Sequence, residues 1–103
     1  MNSTDNLSGK NVLLTGGGSG MGKATALALA KNGANVAIAG RNKENLTSTV
    51  SLAQAKEMIS AKEADVTDRN SINDLFQWFD TEFGTLDYLV HAAGINVAMR
   101  SME

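Results

Sequence analysis

Between Asn11 and Ala30 the chain runs from an apolar stretch through a cluster of glycines into an alanine-rich stretch. No other feature narrows the fold as much. Asn11-Val12-Leu13-Leu14 has the continuous apolar character of a short strand covered on both faces. Thr15-Gly16-Gly17-Gly18-Ser19-Gly20-Met21-Gly22 then turns the chain, and Lys23-Ala24-Thr25-Ala26-Leu27-Ala28-Leu29-Ala30 continues as a helix. A strand that turns on glycines directly into a helix brings bare backbone N–H groups and the positive helix end together. That combination attracts a phosphate or pyrophosphate.

Downstream, apolar runs alternate with helical stretches, the pattern of βαβ units around a parallel sheet. The first helix is expected over about 20–32, with Gly33 as a left-handed stop. Asn35-Val36-Ala37-Ile38-Ala39 reads as the second strand. Asn42 is a cap for a second helix over about 43–53, although Thr47-Ser48-Thr49-Val50-Ser51 has poor helix propensity. Residues 59–64 form a shorter, more polar strand, as at a sheet edge. Asp68 caps a third helix that ends at Gly84, with Ile72, Leu75, Phe76 and Phe79 at helical spacing. Residues 86–92 supply the fourth strand. Right-handed crossovers arrange these as an α/β doubly wound parallel sheet of strand order 3-2-1-4, with a crevice where strands 1 and 4 part.

Composition removes several functional classes. At 103 residues the chain is one small domain, and its net charge of −2 gives no reason to expect nucleic acid or an anionic membrane as partner. It has no cysteine, which excludes disulfides, thiol nucleophiles and cysteine-ligated metals. No residue set suggests a metal site. The polar start, Met1 to Lys10, lacks the apolar core of a signal peptide, so a cytoplasmic location is expected.

A rival reading of the turn comes from Gly17 to Lys23, which satisfies G-x-x-x-x-G-K, part of the phosphate loop of NTPases. That loop needs a hydroxyl for magnesium directly after its lysine. Position 24 is Ala, and Thr25 falls one residue late, about 100° further round the helix.

The spacing Thr-Gly-x-x-x-Gly-x-Gly instead resembles the short-chain dehydrogenase/reductase family, and the resemblance extends from about Leu7 to Ile95. Asp65-Val66 after the third strand and His91-Ala92-Ala93-Gly94 with Ile95 at the end of the fourth follow in the family's order. The resemblance implies a Rossmann-type fold. It implies that Gly16 permits the sharp turn, Gly20 admits the cofactor to the backbone, and Gly22 packs the helix on the sheet. Ser19 and Met21 would offer amides to the pyrophosphate. Asp65 would accept from the adenine amino group, with Val66 beside the ring. Ala92, Ala93 and Gly94 would line the ribose of the nicotinamide half. His91 and Ala92 stand where the family commonly has two asparagines, and His91 reads as a structural residue rather than a catalytic base.

Cofactor choice is set at the end of the second strand, where a carboxylate binds the ribose 2′-hydroxyl of NAD(H). Gly40 occupies that place, and Arg41 follows with a guanidinium suited to a phosphate. Asn42 and the Ser19 hydroxyl can add donors. NADP(H) is therefore expected over NAD(H).

The family's catalytic Tyr-x-x-x-Lys pair is not in this chain. The single tyrosine, Tyr88, sits in the fourth strand and has Ala92 four residues on. No catalytic residue is assigned. Residues 1–103 are expected to be an incomplete dinucleotide-binding domain, cut after the fourth strand, from an oxidoreductase moving hydride between nicotinamide and a carbonyl or alcohol. The resemblance favours a 3-oxoacyl reductase or a related keto-reductase, with homo-oligomers usual among complete members. The alternative is a non-catalytic dinucleotide-binding module or an inactive truncated product. Truncation at this point predicts an unpaired apolar edge at Tyr88-Leu89-Val90.

Overall fold

The computed structural model describes residues 7–16, 20–53 and 58–91, and the backbone of 96–99. The elements in chain order are β1 (Asn11–Thr15), α1 (Gly20–Lys31), β2 (Asn35–Gly40), α2 (Lys43–Leu52), β3 (Ile59–Glu63), α3 (Arg69–Phe83), β4 (Tyr88–His91) and β5 (Asn96–Met99). The sheet order is β3-β2-β1-β4-β5. The first four strands are parallel and carry the expected 3-2-1-4 order, with Val12 level with Val36 on one side and Tyr88 on the other.

Side-chain alternation along the strands divides the core into two layers. Val12, Leu14, Val36, Ile38 and Ile59 pack with Ala26, Ala30 and Leu46 beneath α1 and α2. Leu13, Ala37 and Ala39 point the other way, against Leu75 and Phe79 of α3. Small residues on α1 bring it close to the sheet: Gly22, Ala26 and Ala30 are its buried positions, four apart. Gly33, at φ 97°, ends α1. Its N–H donates to the Ala30 carbonyl at 3.0 Å, and Ala34 N–H donates to Leu29 at 3.1 Å, the two bonds of a Schellman stop.

The weak propensity of α2 is overridden by packing. Asn42 Oδ1 accepts from Asn45 N–H at 3.0 Å to cap it. Leu46 and Thr49 are buried in the core, and the Thr49 hydroxyl donates to the Asn45 carbonyl at 3.1 Å. On α3, Leu75 and Phe79 are buried and Phe79 stacks on Phe83, whereas Phe76 lies on the flank, 40% exposed. Among the described residues no helix is long and apolar enough to cross a membrane.

One expectation is corrected. The Tyr88-Leu89-Val90 edge is not unpaired, because β5 runs antiparallel to β4 with Tyr88 opposite Met99 and His91 opposite Asn96. After His91 the chain returns along its own strand, and this local pairing satisfies backbone groups that an edge would leave open. The four parallel strands are followed by this one further strand.

Candidate functional site

Because β1 to β4 are parallel, their C-terminal ends meet on one side of the molecule. Thr15 and Gly16, Gly40 and Arg41, Ala64 and Asp65, and His91 therefore gather around one cleft of about 830 Å³, which Asn42 and Val66 also line. Ligands of open α/β sheets bind in this crevice beyond the strand ends.

The turn out of β1 begins at Gly16, whose φ of 81° is a left-handed value favouring glycine. Gly16 N–H donates to the Ala39 carbonyl at 2.8 Å, fixing the turn against β2. Gly20 opens α1 without a positive φ, and a Cβ built there meets no heavy atom of the described residues within 4 Å. Among the described residues, neither backbone conformation nor packing requires a glycine at this place. Gly22 is buried towards the sheet, while the Met21 side chain is exposed. The first turn of any helix presents N–H groups without intrahelical partners, at the positive end of its dipole. Ser19, Ala92, Ala93 and Gly94 lie outside the described residues.

Gly40 ends β2 and is tied to the next strand by Ala64 N–H, which donates to its carbonyl at 2.8 Å. A Cβ at position 40 would meet Leu46 Cδ2 at 3.5 Å, an ordinary contact, so packing does not exclude a side chain there. Arg41 is exposed at the cleft and makes no hydrogen bond or ion pair with the described residues. Asn42 spends its Oδ1 on the α2 cap and keeps its Nδ2 donors.

Asp65 is held in a defined turn. Its Oδ1 accepts from Thr67 N–H at 2.9 Å and from the Thr67 hydroxyl at 2.6 Å, and its own N–H donates to Ser71 Oγ at 2.8 Å. The Thr67 hydroxyl, then the Thr67 amide, hold the Asp65 carboxyl below the usual carboxylate range, and the Arg41 charge adds to this. The group is an ionised acceptor at neutral pH. Val66 beside it is partly exposed to the cleft.

Two cleft residues escaped the sequence reading as site residues. Thr15 and His91 stand level with one another in the β1–β4 ladder, and the Thr15 hydroxyl and His91 Nδ1 are hydrogen-bonded. The 3-2-1-4 order was the available signal, since it sets the ends of strands 1 and 4 side by side.

The phosphate-loop alternative loses its last support in α1. Thr25 donates its hydroxyl to the Met21 carbonyl at 2.9 Å, so it is engaged within the helix.

Residues 10–103 match the short chain dehydrogenase family. Short chain dehydrogenase/reductase dpfgG of Gibberella zeae is 38% identical over 89 residues, spanning 86% of this chain and 33% of that protein. A short chain dehydrogenase from Bacillus anthracis superposes with a TM-score of 0.76 at 37% identity, over 82% of this chain and 34% of that one. The 3-ketoacyl-(acyl-carrier-protein) reductase of Brucella melitensis, solved in complex with NADH, gives 0.74 at 31% identity, over 81% and 33%. The chain thus spans about a third of the length of the relatives it matches.

Proposed function

The chain belongs to the short chain dehydrogenase family, carrying its nicotinamide-dinucleotide-binding Rossmann portion, and we propose that it binds NADP(H) in preference to NAD(H). The observation that carries this preference is the pair Gly40 and Arg41 at the end of β2. The fold has room for a side chain at 40, yet the carboxylate that would repel a 2′-phosphate is not there. Arg41 stands next to it at the cleft, its guanidinium making no hydrogen bond with the described residues.

In this reading the turn from Gly16 through Ser19 and Gly20 to Met21 holds the pyrophosphate on the N-terminus of α1, and Gly22 sets the helix against the sheet. Arg41 and Asn42 donate to the 2′-phosphate. Asp65, ionised and with one carboxylate oxygen committed to Thr67, accepts from the adenine amino group, with Val66 against the ring. Ala92, Ala93 and Gly94 line the ribose of the nicotinamide half. Bound in this way, the cofactor supplies or accepts hydride at a carbonyl or alcohol carbon. A 3-oxoacyl compound is the substrate class we favour, on the likeness to the Brucella reductase. Residues 1–103 are then the cofactor-binding part of a longer, homo-oligomeric oxidoreductase. Its acid–base residues lie outside this chain, whose single tyrosine is in β4.

Arg41→Asp tests the preference. Replacing a donor to phosphate with a like charge should weaken NADPH binding by about 100-fold or more, and NADH binding by roughly threefold or less. Titration by nicotinamide fluorescence reads both constants. Equal losses for the two cofactors would remove the 2′-phosphate role.

A further inference from the structure

Asp65, Val66, Thr67 and Asp68 form the turn between β3 and α3, closed by Asp68 N–H, which donates to the Asp65 carbonyl at 3.0 Å. The two acids of this turn do different work. Asp68 stands over α3 as its cap, its Oδ1 accepting from Asn70 N–H at 3.3 Å. Asp65 faces the cleft, which Thr67 also lines. Its backbone is fixed on both sides. Ala64 N–H donates to the Gly40 carbonyl at 2.8 Å, and Asp65 N–H donates to Ser71 Oγ at 2.8 Å.

A carboxylate oxygen has about two acceptor sites. Asp65 Oδ1 fills both from one residue, the Thr67 amide at 2.9 Å and the Thr67 hydroxyl at 2.6 Å. The amide bond alone is an ordinary Asx turn, and it would leave Oδ1 a site for a ligand. The hydroxyl takes that site and holds the carboxylate against rotation. Oδ2 is then the oxygen left to a ligand, and it accepts no bond from the described residues. Thr67 is exposed, so core packing does not call for a threonine here.

We propose that Thr67 is a positioning residue of the cleft: by holding Oδ1 it presents Oδ2 alone to the base, and so makes the cleft choose adenine over hypoxanthine. The inference rests on the dinucleotide-binding reading above. An ionised carboxylate only accepts, and the Thr67 hydroxyl and amide hold this one below the usual carboxylate range. The amino group of adenine donates to Oδ2. The carbonyl of hypoxanthine sets a second acceptor against it, and a carboxylate held by Thr67 does not swing away from that repulsion. A freely rotating carboxylate would tolerate both bases by turning out to water. Discrimination therefore depends on the Thr67 hydroxyl as well as on the carboxylate it holds.

The probe pair is NADPH and its hypoxanthine counterpart, in which a ring carbonyl replaces the amino group of adenine while phosphates, riboses and nicotinamide stay the same. Nicotinamide fluorescence reads both on the 103-residue chain. The wild type should bind NADPH about tenfold more tightly than the counterpart. Thr67→Val removes the hydroxyl and keeps the amide, and the ratio should fall to about threefold or less, chiefly through weaker NADPH binding. Thr67→Ser keeps the hydroxyl and should keep the wild-type ratio. A merely structural threonine would shift both ligands together and leave the ratio alone. If Thr67→Val retains the wild-type ratio, or Thr67→Ser loses it as the valine does, the positioning role is overturned and the binding reading survives. If the wild type binds the two ligands equally well, Asp65 does not read the base, and the inference is overturned with dinucleotide binding intact. If neither NADH nor NADPH binds saturably, the binding reading falls and takes the inference with it. Should Thr67→Val fail to fold, Thr67→Ala removes the same hydroxyl and is judged by the same ratio.

Discussion

The two ends of the parallel sheet treat polar groups in opposite ways. At the end where the strands begin, Asn11 gathers partners from across the chain. Its N–H donates to Asp87 Oδ2 at 2.8 Å and its carbonyl accepts from Asp87 N–H at 2.9 Å. Its Nδ2 donates to the carbonyls of Thr85 at 2.8 Å and Phe83 at 3.3 Å. Its Oδ1 accepts from Asn35 Nδ2 at 3.0 Å. One side chain thereby ties β1 to β2, to the end of α3 and to the entry of β4. At the end where the strands finish, Arg41 makes no hydrogen bond with the described residues and acts on Asp65 only through its charge, Asn42 keeps its Nδ2 donors and Asp65 offers a carboxylate oxygen to an open cleft. Polar groups that satisfy one another stabilise the fold, whereas polar groups turned to a cleft await a ligand. On the proposed function, stability belongs to one end and binding to the other.

That assignment is open to a double dissociation. Asn11→Ala removes three side-chain hydrogen bonds at the closed end and should lower unfolding stability by roughly 2 kcal/mol, read from the urea midpoint. NADPH affinity measured under native conditions should stay within about twofold. A matching loss of affinity would mean that the two ends are not separate. Gly20→Ala is the converse at the open end. Its Cβ meets none of the described residues and alanine is the better helix former, so stability should hold or rise by up to ~1 kcal/mol. NADPH affinity should fall about tenfold if the backbone there approaches the pyrophosphate. Unchanged affinity would remove Gly20 from the site.

The same contrast explains what could be read in the sequence. Features made by neighbours in the chain were legible: the Asn42 and Asp68 caps, the Gly33 and Gly84 stops, and the apolar runs of β1 and β2. The strand order followed from crossover handedness, and with it the meeting of Gly16, Arg41 and Asp65. The Asn11 network was not legible, because its partners at Phe83, Thr85 and Asp87 lie more than seventy residues away and an asparagine entering a strand carries no pattern. Nor was β5, since Asn96-Val97-Ala98-Met99 is too short to show alternation and pairs only because the chain folds back on β4. Thr49 was legible as a poor helix former but not as a core residue, a role set by what α2 packs against. His91 was legible as a structural residue at a strand end beside the cofactor, whereas its hydrogen bond to Thr15 was not, because that partner is given by the sheet order.

The central claim is that ligand binding belongs to the C-terminal ends of the strands and not to the closed end. Amide chemical-shift mapping of the chain titrated with NADPH tests it most directly. The account predicts saturable shifts at Gly16, Gly20 to Gly22, Arg41, Asn42, Asp65 and His91, with Asn11, Asn35 and Asp87 unmoved. Shifts centred on Asn11 and Asp87, or no saturable shift at the strand ends, would contradict it.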